Sequence, residues 1–225
     1  MSATAALADS SPPTEGSIVA GKFRLEHVIG EGGMGVVYAA VHLDLVKRVA
    51  IKIVRGELAS RDDLVERMLH EARTAATLRS EHVARVLDVG LMESGAPYIV
   101  MEHLDGCDLA THLEETRRMR PDIAVLHVLQ ACEAIAEAHA AGIVHRDIKP
   151  ENLFLTTRAD GEPIVKMLDF GIARSLAGQG SAAIAGPSEM VGSPNYVAPE
   201  GMRRDGTIGP AADIWSLGAV LYELV

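Results

Sequence analysis

A change of texture near residue 105 constrains this chain more than any other feature. From Phe23 the sequence runs in short apolar, β-branched stretches split by turn residues: FRLEHVIG, VVYAAVHL, RVAIKIV, ARVLDVGL and PYIVMEHL. Such stretches predict strands. One helix interrupts them between Arg61 and Leu78, where Leu64, Val65, Met68, Ala72, Ala75 and Ala76 recur at helical spacing. After Asp105-Gly106 the helical period takes over, at 108–118 and 122–140. The second helix carries Val125, Leu126, Leu129, Cys132, Ile135, Ala136 and His139 as a wide apolar face. Short strands follow at LFLTT and IVKML, then a Gly/Ser/Ala-rich loop over about 171–192 and a final helix from about 211. Strands first and helices later predict an α+β fold with its chemistry near the changeover. Residues 1 to about 20 are rich in Ala, Ser, Pro and Thr without periodicity, which predicts a disordered leader.

Composition narrows the function. With 225 residues, 48% of them hydrophobic, the chain can bury a real core. A net charge of -10, from 31 acidic against 21 basic residues, repels phosphate backbones and anionic lipid. No nucleic-acid role is expected. Cys107 and Cys132 have no CxxC partner, which predicts free thiols and a cytoplasmic setting. Neither a secretory leader nor a run of ~18 apolar residues occurs, so no membrane segment is expected in this chain.

The chemistry-bearing residues begin at Gly30, Gly32, Gly33 and Gly35. Glycines let backbone N–H groups approach phosphates without a Cβ in the way. Gly30, Gly32 and Gly35 also fit a dinucleotide-binding fingerprint, but that needs a helix next. Val36-Val37-Tyr38 favours a strand, so the loop reads as a hairpin tip. Gly16 to Lys22 mimics the start of a P-loop, yet Phe23 stands where a magnesium-binding hydroxyl belongs. Lys52 sits in the apolar run Val49-Ala50-Ile51-Lys52. It either snorkels to solvent or meets an anion, since an unpaired buried ammonium is costly. Glu71 on the helix that follows, at 61–78, could pair with it. His70-Glu71 fails as a zinc helix because Thr74 takes the second histidine position.

The run His145-Arg146-Asp147-Ile148-Lys149-Pro150-Glu151-Asn152, with Asp169-Phe170-Gly171 beyond it, is more specific. Taken singly, each Asp could be a helix cap and each Asn a turn residue. Together they suit phosphoryl transfer, which needs a carboxylate at the hydroxyl nucleophile, metal ions on phosphate oxygens and a cation on the transferring group. Asp147 can orient the hydroxyl, Asn152 and Asp169 offer oxygens suited to magnesium, and Lys149 can meet the γ-phosphate.

The glycine loop, the VAIK lysine, Glu71, HRDIKPEN, DFG and Ala198-Pro199-Glu200 occur in the order of the protein kinase superfamily, and the wording resembles bacterial Hanks-type kinases. The resemblance implies a two-lobed fold, with a small β-rich N-lobe over 21–104 and a helical C-lobe over 105–225 that is incomplete. It implies ATP and Mg2+ as cofactors. Lys52 would contact the α/β-phosphates and pair with Glu71, and Asp147 would be the catalytic base. Asn152 and Asp169 would hold magnesium in the cleft between the lobes. Met101 would be the gatekeeper, and Glu102 to Leu104 the hinge that binds adenine. Val37, Ala50 and Phe154 would sandwich the adenine ring, Phe154 being bulkier than the usual aliphatic.

Lys149 and Ser193 match the serine/threonine pattern, so protein Ser/Thr hydroxyls are the expected acceptors. Arg146 implies a phosphorylated activation loop, with Ser188 the first candidate and Ser181 the second. Activation in trans would suit a transient homodimer. The last helix, AADIWSLGAVLYELV, is apolar nearly all round and belongs inside a core; its Asp213 would bond the catalytic-loop backbone. Because the chain ends there, a truncated and poorly active domain is expected, with Glu200 a buried carboxylate lacking its partner. A non-catalytic pseudokinase scaffold and a small-molecule phosphotransferase are the competing expectations.

Overall fold

The computed structural model describes residues 13–32, 35–54, 62–170, 194–203 and 208–225. They fall into two compact units, one made of the chain up to Leu69 with Val86–His103, the other of His70–Arg85 with Leu104–Val225.

The first unit is an antiparallel sheet of six strands: β1 (Ile18–Val19), β2 (Phe23–Gly32), β3 (Gly35–His42), β4 (Lys47–Val54), β5 (Val86–Leu91) and β6 (Pro97–Glu102), in the spatial order β1-β2-β3-β4-β6-β5. Successive side chains on a strand point to opposite faces. One face buries Phe23, Leu25, Val36, Tyr38, Val49, Ile51, Ile53, Tyr98 and Val100 in a single core. The register places Val37 opposite Lys52, Lys52 opposite Ile99, and Ala50 opposite Met101. These residues therefore share the other face. At Gly35 a Cβ would collide with the Ile53 carbonyl oxygen, so only glycine permits this close pairing of β3 with β4.

Over residues 13–20 the expected disordered leader is corrected: Ile18–Val19 form β1, which pairs with β2, and Val19 is buried, while residues 1–12 lie outside the described residues. Gly16 N–H donates to Leu25 O at 2.9 Å, and the Tyr38 hydroxyl donates to the Pro13 carbonyl at 2.8 Å. A two-residue strand is too short to show periodicity, and its order comes from the edge it pairs with.

Helix α1 (Asp62–Ala75) buries Leu64, Val65, Met68, Leu69, Ala72 and Ala75. It ends before Ala76, which is exposed. The second unit contains α2 (Leu109–Thr116), α3 (Pro121–Ala140), α4 (Pro210–Leu224) and a small antiparallel sheet of β7 (Gly106–Asp108), β8 (Leu153–Thr157) and β9 (Pro163–Met167). Asp108 caps α2 by accepting from Thr111 N–H at 2.9 Å. Prolines open α3 and α4, where their missing N–H costs nothing.

The apolar face expected for α3 is rotated in the fold. Ala124, His127, Val128, Gln130, Ala131, Ala134, Ile135 and Ala138 are buried, while Val125, Leu126 and Leu129 are 44%, 46% and 55% exposed. Alanines let α3 approach α4 and β9 closely, and Gln130 is accommodated because its Oε1 accepts the Val165 N–H at 2.9 Å. Helix α4 likewise buries one face, with Leu217, Val220 and Leu224, and leaves Ile214, Trp215 and Tyr222 exposed. Glu200 is half-buried rather than buried. Ile135→Ala should destabilise by about 2–5 kcal/mol, whereas Leu129→Ala should cost less than about 1 kcal/mol. Urea midpoints of the two variants check this; equal losses would contradict the rotated face.

Candidate active site

The segment from His145 to Asn152 leaves α3 and is pinned from three directions within the second unit. Asp213, in the first turn of α4, is fully buried. Its Oδ2 accepts the His145 N–H at 2.8 Å and its Oδ1 accepts the Arg146 N–H at 2.8 Å. His139 Nε2 lies 2.7 Å from the same Oδ2. Arg146 has φ +68°, a left-handed conformation that costs a non-glycine residue about 1–3 kcal/mol and persists only when its surroundings impose it.

His145 ties this loop to the strand before Asp169. The Asp147 N–H donates to its Nδ1 at 3.3 Å, so the proton sits on Nε2, which donates to the Leu168 carbonyl at 2.9 Å. Burial pushes the His145 pKa below its ordinary value, in keeping with this neutral tautomer. Phe170 closes the other side, its ring 4.9 Å from the imidazole. Asp169 has φ +54°, a second strained position beside the site.

The side chains gather at Asp147. Asn152 Nδ2 donates to its backbone carbonyl at 2.7 Å and to its Oδ2 at 3.1 Å, while Lys149 Nζ lies 3.3 Å from the same Oδ2. The Leu168 N–H donates to the Asn152 carbonyl at 2.9 Å, which brings the backbone before Asp169 to the same loop. A cleft beside Arg146 and Asp147 is lined by Tyr196, Val197, Ala198, Gly201 and Ile208. Tyr196 is fixed there: Ser216 Oγ donates to its carbonyl at 2.7 Å, and its hydroxyl donates to Glu223. Burial first, and then this carboxylate, push the Tyr196 pKa up.

Of the other expected site residues, Val37, Ala50, Lys52 and Met101 lie on one face of the first unit's sheet, with Lys52 8% exposed. Gly30 and Gly32 lie on β2, which pairs across the hairpin with Gly35 on β3. Glu71 lies on α1, Glu102 ends β6, and Leu104 is half-buried. Phe154 is half-buried on β8, paired with Asp108 and Lys166. Gly33, Ser181, Ser188 and Ser193 lie outside the described residues.

Among the described residues no group of three His, Cys, Asp or Glu could hold a metal ion. Magnesium does not need one, since it keeps several waters and binds through one or two protein oxygens plus substrate phosphates. Asn152 spends its Nδ2 on Asp147, which leaves its amide oxygen as the atom that would meet a cation, and Asp169 would supply the carboxylate. The residues present fit that ion.

His139 belongs by its spacing to the apolar face expected for α3 and is instead a polar partner of Asp213. A histidine in the last turn of a helix was the signal, too common to be decisive alone.

A glycine-tipped antiparallel sheet with a buried lysine, and a helical unit whose catalytic loop gathers Asp, Lys and Asn, define a protein kinase fold. Residues 23–225 match the protein kinase domain model, and the chain belongs to that family. It is 38% identical over 205 residues to serine/threonine-protein kinase Pkn1 of Myxococcus xanthus, covering 91% of this chain and 29% of that protein. It is 36% identical over 216 residues to serine/threonine-protein kinase PknB of Mycobacterium tuberculosis, covering 94% of this chain and 33% of that protein. The chain thus spans about a third of the length of the curated relatives it matches. Among solved structures, the Mycobacterium tuberculosis PknI kinase domain superposes with a TM-score of 0.75 at 26% identity, covering 95% of this chain and 77% of that one. Both relatives are bacterial serine/threonine kinases, in agreement with the Hanks-type resemblance. The family implies an ATP substrate and, typically, magnesium. No helix among the described residues is long and apolar enough to cross a membrane.

Stability should depend on pH through the buried histidines. His145 and His127 have pKa values lowered chiefly by burial, so below about pH 6.5 the unfolded chain binds protons that the folded chain refuses. Their contribution is full above that pH and is lost as pH falls, by up to about 1.4 kcal/mol per unit for each histidine. Urea unfolding at pH 7.5 and 5.5 measures the loss, and His127→Leu should flatten it.

Proposed function

We propose that this chain transfers the γ-phosphoryl group of ATP to serine or threonine hydroxyls of proteins. The observation that carries the reading is the Asp147 carboxylate, whose Oδ2 is held by Lys149 at 3.3 Å and Asn152 at 3.1 Å. Those contacts fix one oxygen and leave Oδ1 to accept the acceptor hydroxyl's proton. As the oxygen of the acceptor hydroxyl bonds to the γ-phosphorus, its proton passes to Asp147, the bond from phosphorus to the ADP oxygen breaks, and Lys149 meets the charge on the transferring group. Asn152 and Asp169 are the residues that would hold magnesium, which when bound neutralises phosphate oxygens.

The nucleotide's remaining contacts are assigned by the family pattern. In that pattern Gly30, Gly32, Gly35 and Lys52 serve the phosphates, and Val37 and Ala50 serve the adenine ring. Met101 is the gatekeeper, and the backbone of Glu102 and Leu104 binds the base. The shared sheet face of Val37, Ala50, Lys52 and Met101 supports this set. The cleft beside Asp147 with Val197, Ala198 and Ile208 suits an apolar residue next to the acceptor.

Radiolabelled ATP with a generic basic protein acceptor tests the reading. Asp147→Asn should lower turnover about 10²–10⁴-fold with ATP affinity retained, and Asp169→Ala should raise the magnesium required. A parent chain that binds ATP and labels no protein would leave a non-catalytic binding module instead.

A further inference from the structure

We propose that Tyr38 is a positioning residue for nucleotide binding, acting through a strap of chain, residues 13–19, that holds both strands of the glycine-tipped hairpin. The strap precedes the region matched by the protein kinase domain model, which begins at residue 23. A tight turn shapes it: the Ser17 N–H donates to the Thr14 carbonyl at 3.1 Å, and Gly16 takes φ +82°, a conformation that glycine adopts readily. On β2, Leu25 is bonded twice, its N–H donating to the Ser17 carbonyl at 3.0 Å and its carbonyl accepting the Gly16 N–H at 2.9 Å. On β3, the Tyr38 hydroxyl donates to the Pro13 carbonyl at 2.8 Å. Tyr38 is 3% exposed, and a buried hydroxyl is costly without a partner, which the Pro13 carbonyl supplies. Burial, and then the charge of Glu31, push its pKa up, so the hydroxyl keeps its proton and remains a donor.

What the strap holds is irregular. β2 departs from even pairing with β3 twice, between Leu25 and His27 and between Val28 and Gly30, and such bulges bend a strand and raise its twist. The bonds from the strap to β2 end at Leu25, where the first irregularity begins. Tyr38 is paired across the hairpin with Val28, where the second begins. Its neighbour Val37 points to the other face of the sheet, opposite Lys52. Anchoring Tyr38 therefore anchors the backbone that carries Val37 and leads to Gly35. Without the Pro13 carbonyl the hydroxyl must move toward water, and β3 moves with it. That displacement weakens nucleotide contacts made equally in the ground and transition states, which raises KM and spares kcat. Asp147, Lys149 and Asn152 belong to the second unit, so turnover at saturating ATP is expected to stay.

The kinetic arm rests on the phosphoryl-transfer reading; the backbone arm does not. In this chain, Tyr38→Phe removes the donor alone, and removal of residues 1–13 takes away the acceptor while keeping Gly16 and β1. KM for ATP should rise about three- to tenfold in either variant, with kcat unchanged. The two changes combined should weaken ATP no further than one alone, because both break the same bond. Amide hydrogen exchange across β2 and β3 should quicken at least about fivefold in each variant. If the shortened chain does not fold, Tyr38→Phe alone decides. With an active parent, an unchanged KM in Tyr38→Phe overturns the proposal, as do unchanged exchange, a kcat that falls at constant KM, and additive losses in the combined variant. A parent without turnover strikes the proposed function alone, and the exchange result then decides the role of Tyr38.

Discussion

The fully buried carboxylate of Asp213 is the interaction on which the catalytic loop depends. Burying a charge is expensive unless donors surround it, and each donor here has a structural consequence. Two backbone N–H groups fix where the loop leaves α3, and the His139 ring ties α3 to α4. The strained backbone of Arg146 is tolerable because its N–H is held. His145 then carries the same order to the strand before Asp169, using both ring nitrogens in one neutral tautomer.

Register does the corresponding task in the first unit. An alternating sheet that buries Val49, Ile51 and Ile53 on one face must present Ala50 and Lys52 on the other. Pairing with β3 and β6 then sets Val37 and Met101 beside them. A one-residue slip would exchange the two faces, so the core itself protects the functional register. The tight contact at Gly35 pins the end of the same pairing.

The helices were less predictable than the strands. In α3 the leucines and valines mark a convincing face, yet the fold buries the alanines beside Ile135 and leaves Leu126 and Leu129 half-exposed. Packing distance, not hydrophobicity, chose the face, because close helix and sheet neighbours require small side chains. The first strand was missed for a different reason. Ile18-Val19 has no pattern of its own and is ordered by the edge of β2.

The sequence by itself determined the α+β order, the positions of most strands and helices, and the catalytic candidates, because these rest on local periodicity and on ordered, closely spaced residue types. Lys149, Asn152 and Asp147 meet within one short loop, so their meeting was legible. The partnership of His139 with Asp213 bridges 74 residues and was decided only when α3 packed on α4. Local pattern records which face a residue can take. Which buried charge it will neutralise is a property of the packed chain.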